Sequence, residues 1–239
     1  MKTETLIENA DVNMARRSFL RYAGAGAAAV GVLAASSCSK FDDYKGNSPA
    51  IMNPNAGVDI GAKGDLAILN YAYALEQLEA AFYIQVAATP YTGITTEENA
   101  LLTDIRDHEV AHREFFKAAL GTNAIKGLTP NFSAINFSSR TEVLAAAKAF
   151  EDTGVTAYNG AGYLIQNTDY LLLAGKIVSV EARHAAYIRN LIAPGSFADN
   201  TALDANGLDK TQTIAQVLAI ANTYLTTKVS ASNYGYVAS

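Results

Sequence analysis

Asp107-His108-Glu109-Val110-Ala111-His112 sets a glutamate three residues before a histidine, and Glu181-Ala182-Arg183-His184 repeats the arrangement far downstream. Residues three apart on an α-helix lie on one face, where a carboxylate and an imidazole can grip one metal ion between them. The chain has only three histidines, and two of them stand in this spacing. Shuffling its composition would give about 0.14 such pairs per chain, so one pair means little and two begin to signify. Glu76 precedes Tyr83 by seven residues upstream of the first pair, and Glu151 precedes Tyr158 by seven upstream of the second. The order Glu(x6)Tyr, Glu-x-x-His thus occurs twice, with 33 residues from Glu76 to Glu109 and 30 from Glu151 to Glu181. This is an internal repeat of a helix hairpin. Four helices that join two single glutamates to two Glu-x-x-His pairs carry the ligand set of a carboxylate-bridged dinuclear site inside a bundle.

Over residues 65–193 the chain resembles the ferritin-like superfamily. Its Glu(x6)Tyr and Glu-x-x-His elements are similar to those of bacterioferritins and rubrerythrins. The phrases LEQLEAAFY (75–83), DHEVAHREFF (107–116) and FEDTGVTAY (150–158) look closest to the desiccation-related, secreted branch. The resemblance implies an all-α fold: a ferritin-like four-helix bundle with one long crossover between the second and third helices, here followed by a short fifth helix. It also implies reaction with O2 or peroxide, of a ferroxidase, peroxidase or catalase type. The alternative it suggests is a non-enzymatic protein that sequesters metal or protects the envelope under drying or oxidative stress.

Half of the 239 residues are hydrophobic, with few Pro and no Trp, enough for one substantial core in one domain with appendages. The net charge of −5 and the lack of a Lys/Arg run in the body argue against a nucleic-acid partner. A single Cys excludes an intramolecular disulfide, a Cys-rich zinc site and a rubredoxin-type iron centre.

The N-terminus reads as an address. Arg16 and Arg17 begin a twin-arginine signal, and the apolar run over residues 22–35 is too short to span a membrane comfortably. Leu33-Ala34-Ala35-Ser36-Ser37-Cys38 resembles a lipoprotein cleavage site, with Cys38 as the lipidated first residue, although Ala35 departs from the usual larger aliphatic. The expectation is therefore a signal over 1–37 and export to the periplasm or cell envelope, with membrane attachment through Cys38. Residues 38–63, rich in Asn, Asp, Gly, Ser and Pro, read as a flexible tether. The bundle takes 64–194, and a loop with a C-terminal helix takes 195–239. A homo-oligomer is compatible with this layout; a closed storage shell is not favoured, because tether, anchor and extension would all need room.

The periodicity predicts a first helix over residues 65–88. Its acids Glu76 and Glu79 compete for one ligand role, and the spacing to Tyr83 favours Glu76. Glu79 is left to line the site, pair with a neighbouring helix or meet solvent. Thr95 to Glu98 has capping-box character and opens a second helix that Gly121 should stop. Gly127, Pro130 and several Asn and Ser put the crossover over residues 121–140. Ser139 to Glu142 is a second capping box, opening a third helix to about residue 166, in which Gly154, Gly160 and Gly162 suggest close packing or room for a ligand. Thr168 and Asp169 can cap a fourth helix that ends before Pro194-Gly195, and residues 211–228 read as a fifth. The last residues look frayed, with Tyr234, Tyr236 and Val237 able to dock on the body.

Glu76, Glu109, Glu151 and Glu181 would put four carboxylates inside a bundle, with no cation spaced to neutralise them all. Unpaired buried carboxylates protonate or find cations. Two divalent ions cancel the four charges. With one imidazole per metal, from His112 and His184, the mixed O/N shell suits Fe or Mn. Tyr83 and Tyr158, the candidate catalytic residues, either fill the core with each hydroxyl on a carboxylate or take a hydrogen-bonding or radical role beside the metals. His108 reads as a solvated or structural histidine in preference to one on the rim of the cavity. In many relatives an Asp precedes the Glu of Glu-x-x-His; here those positions are His108 and Val180, which leaves the outer acceptors of the ligand histidines unassigned.

Overall fold

A computed structural model describes residues 57–238. The expected export signal, Cys38 and the tether as far as residue 56 lie outside the described residues.

Helix α1 (Asp65–Ala88) is buried on nearly every face, from Ala67, Ile68 and Leu69 to Phe82, Tyr83 and Val86. A helix apolar all round belongs at the centre of a bundle. Helix α2 (Thr96–Leu120) opens where Thr95 Oγ1 accepts from Glu98 N–H, and closes at Gly121, whose φ of 53° suits glycine. The capping box there is only half formed, because the Glu98 carboxylate accepts instead from Tyr91 and from the guanidinium of Arg140. Charge-assisted pairing outcompetes a single backbone N–H. Ser139 likewise caps α3 (Arg140–Ala161), while Glu142 turns to Asn136 N–H.

Helix α3 stops short of residue 166, passing into a single 3-10 turn, Gly162–Leu164. Helix α4 (Thr168–Ile192) is capped by Asn167, whose Oδ1 accepts from Asp169 and Tyr170 N–H; Thr168 and Asp169 themselves lie inside the helix.

The crossover follows α1 from its start to its end. Asn70 bonds Asn123 and Ile125, Gln77 bonds Leu128, Phe82 packs on Phe132, and Thr92 bonds Ser138. The chain thereby enters α3 at the far end of the bundle, so α3 runs antiparallel to α1 and ends where Asp65 binds the backbone of Gln166 and Asn167. One end of the bundle is filled by Phe82, Phe132, Phe137 and Phe150, with ring centroids 4.8–6.1 Å apart.

Two expectations need correction at the edges. The fifth helix, α5 (Ile214–Ala221), has only eight residues rather than spanning 211–228. Asn222 diverts the chain by bonding Val229 through both its amide atoms, and Lys228 Nζ takes the Asn222 carbonyl. The tether ends before residue 58: strand β1 (Val58–Asp59) pairs in parallel with β2 (Val229–Ser230), and Ile60 is buried. A side chain at Gly57 would meet Lys228 O at 2.3 Å, so glycine lets the two strands close. The tail docks through Tyr234, which accepts from Gly64 N–H, and Tyr236, which accepts from Asn222; Val237 stays exposed.

Candidate metal centre

Each long helix buries one glutamate of the cluster. Glu76 on α1, Glu109 on α2, Glu151 on α3 and Glu181 on α4 are fully buried, and His112 and His184 are nearly so. His112 Nδ1 stands 2.8 Å from Glu181, 3.4 Å from Glu76 and 3.7 Å from Glu109. His184 Nδ1 stands 2.8 Å from Glu109, 3.4 Å from Glu151 and 3.5 Å from Glu181. Two overlapping donor sets result, Glu76/Glu109/His112/Glu181 and Glu109/Glu151/Glu181/His184, each with its donor atoms within 4.8 Å of one another. Glu109 and Glu181 belong to both. Tyr83 OH donates to Glu151 Oε1 and Tyr158 OH to Glu76 Oε1, each at 2.5 Å, so each tyrosine steadies the single glutamate of the other hairpin.

The sequence model of the ferritin-like domain family matches residues 64–194, over half of the chain. This chain belongs to the ferritin-like family. No curated protein matches the sequence.

Whether this ferritin-like cluster suits a metal is decided by its unsatisfied atoms. Both oxygens of Glu109 and of Glu181, the second oxygens of Glu76 and Glu151, and Nδ1 of both histidines are buried without a hydrogen bond. The short His–Glu approaches lack the alignment of hydrogen bonds, as lone pairs do when they converge on a common point. Orphaned acceptors at this density are costly unless a cation fills the space. The donor set of carboxylates and imidazoles therefore fits divalent metal.

Without metal, the cluster holds protons. Burial, then the charge of Glu181, pushes Glu109 up to about 8, and burial pushes Glu151 up to about 7. Burial opposes charge on the imidazoles, but the carboxylates prevail: His184 is raised to about 12 by Glu109, Glu151 and Glu181, and His112 rises as well. Burial and the adjacent carboxylates push Tyr83 and Tyr158 well up, so both hydroxyls keep the proton they donate.

Of the two glutamates on α1, Glu76 stands in the donor set and Glu79 does not. Glu79 is buried beside the cluster against Gly154 of α3, where a Cβ would lie 2.9 Å from its Oε1. Burial, then the charges of Glu109 and Glu181, raises its pKa well above normal, so it stands as a neutral acid. His108 is half-exposed, as a solvated residue would be, yet its Nδ1 lies 2.9 Å from His184 Nε2. The sequence reading missed that contact and the Arg189–Asp152 pair. Arg189, 3% exposed, forks onto Asp152 at 2.6 and 2.8 Å, tying α4 to α3 beside Glu151. On the Tyr158 side, an apolar cavity of about 40 Å³ is lined by Ala72, Leu75, Phe116, Ala157, Tyr158 and Ile177, among others.

Proposed function

We propose that this chain is an exported ferritin-like protein whose centre holds two Fe or Mn ions and reacts with dioxygen or peroxide, in metal oxidation or oxidative-stress defence. One observation carries the reading: eight buried, unpartnered donor atoms fall into two sets that share Glu109 and Glu181. When bound, the ions would supply the electrons that reduce the oxidant.

The protein's own residues do the rest. Glu109 and Glu181, each with both oxygens free, would bridge the two positions, while Glu76 and Glu151 each offer one oxygen and keep the other on a tyrosine. Tyr83 and Tyr158 hold a proton at those outer oxygens, within reach of charge that develops at the cluster. The aromatic plug around Phe82 excludes water at one end, and the apolar cavity beside Tyr158 favours a small neutral molecule over an ion at the other. Export rests on Arg16-Arg17 and the apolar run after them, and membrane attachment on Cys38.

Elemental analysis of the purified protein beside its Glu109→Ala/Glu181→Ala variant is the test. About two Fe or Mn per chain are expected, and none in the variant. Absence of stoichiometric metal after anaerobic reconstitution rejects the reading. Repeated turnover with Fe(II) and dioxygen, or with peroxide, marks an enzyme; saturation after a single fill marks sequestration.

A further inference from the structure

We infer that the two metal positions are unequal: the Glu151/His184 position is the tighter and fills first, because His108 anchors His184 while no residue among those described anchors His112. The inference rests on the dinuclear reading above. His184 turns Nδ1 into the cluster and Nε2 onto His108 Nδ1, with the two rings 8° from parallel. An imidazole that gives its Nδ1 lone pair to a cation carries its proton on Nε2. His184 Nε2–H then donates to His108 Nδ1, and the proton of neutral His108 sits on its own Nε2, away from His184. A ligand histidine held through its second nitrogen keeps its orientation and gains basicity.

Among the described residues, His112 has no such support. Its polar approaches, to Glu181, Glu76 and Glu109, are all made through Nδ1. The repeat explains why. His108 stands directly before Glu109 and reaches from α2 to α4; the matching residue before Glu181, placed to reach from α4 to α2, is Val180. Valine has no acceptor. The asymmetry is thus written into one pair of equivalent positions, outside the ligand set itself.

Anaerobic titration of the metal-free protein with Co(II), followed by its visible absorption, reads both positions directly. The wild type should bind in two steps. His108→Val should weaken the first step by about tenfold, the low end of the usual effect of an outer partner, since His108 is half-exposed. His108→Asn, which keeps an oxygen near the place of Nδ1, should restore it, and Val180→His should tighten the second step. Circular dichroism checks that each variant is folded. Two equal steps in the wild type overturn the inference, as does a His108→Val isotherm that is unchanged or weakened equally in both steps. A wild type that binds no Co(II) removes the dinuclear reading, and the inference with it.

Discussion

The α1–α2 and α3–α4 hairpins present the same ligands in the same order, yet differ in what stands behind them. Glu76 and Glu151 each take a tyrosine hydroxyl from the other hairpin at the same 2.5 Å. Beside the ligands, the likeness ends. Glu79 on α1 answers to Gly154 on α3, and His108 on α2 answers to Val180 on α4. The first difference is complementary, since the acid occupies the space the glycine leaves. The second is not, since it gives one histidine a partner and leaves the other without. Equal donors with unequal supports are how a duplicated hairpin can hold two similar ions on different terms.

The comparison is broken most completely through the residues both sets share. Glu109→Ala/Glu181→Ala should lose all metal, whereas Glu76→Ala and Glu151→Ala should each keep about one ion per chain, counted by elemental analysis. If either single variant loses both ions, the sets are not separable and the two halves do not act as distinct positions. Next come the tyrosines. Tyr83→Phe and Tyr158→Phe each strip a hydrogen bond from a buried carboxylate, and each should cost the metal-free fold about 1–3 kcal/mol in urea unfolding. Similar costs are expected, because the two bonds have the same length.

The equal half of this comparison was legible in the sequence, and the unequal half was not. Helix α1 could be bounded because a broad apolar surface begins directly after Asp65, and α2 because Gly121 supplies its left-handed stop. The four glutamates and two histidines could be gathered because spacing along a helix fixes which face a side chain shares. Contacts between helices leave no such signature. His108 finds His184 across 76 residues, Arg189 finds Asp152 across 37, and the two-residue strand β1 has no period from which to predict its distant partner. Glu79 and Gly154 were each noticed singly, but only the packing of α1 on α3 makes them one feature.

A pH titration of the metal-free fold sharpens the comparison electrostatically. Glu109 and Glu151, raised from 4.5 to about 8 and about 7 mainly by burial, bind protons more tightly folded than unfolded. Their contribution to stability is present below about 4.5 and is lost as pH rises through the folded values. The raised imidazoles act in the same direction above 6.5. The metal-free stability should therefore fall between pH 6 and pH 8, by roughly 1.4 kcal/mol per pH unit for each extra proton the folded state holds, and the melting temperature with it. Metal competes with those same protons, so the loaded protein should show a flat or rising profile. A metal-free profile that rises over this range would falsify the assignment of protons to the cluster.

The smallest effect isolates the fit of Glu79 into α3. Replacing a helical glycine by alanine ordinarily stabilises by up to about 1 kcal/mol. At Gly175 on α4, where an added Cβ meets nothing within 4 Å, that full gain is expected. At Gly154 the Cβ would meet Glu79 Oε1 at 2.9 Å, and the buried carboxyl has little room to retreat. Gly154→Ala should thus be neutral or slightly destabilising in the wild type, and should recover its gain in a Glu79→Ala background. The coupling, read from a double-mutant cycle of unfolding free energies, should be about 1 kcal/mol. If Gly154→Ala stabilises equally with and without Glu79, the glycine makes no room for the acid, and the two hairpins differ at this level by composition alone.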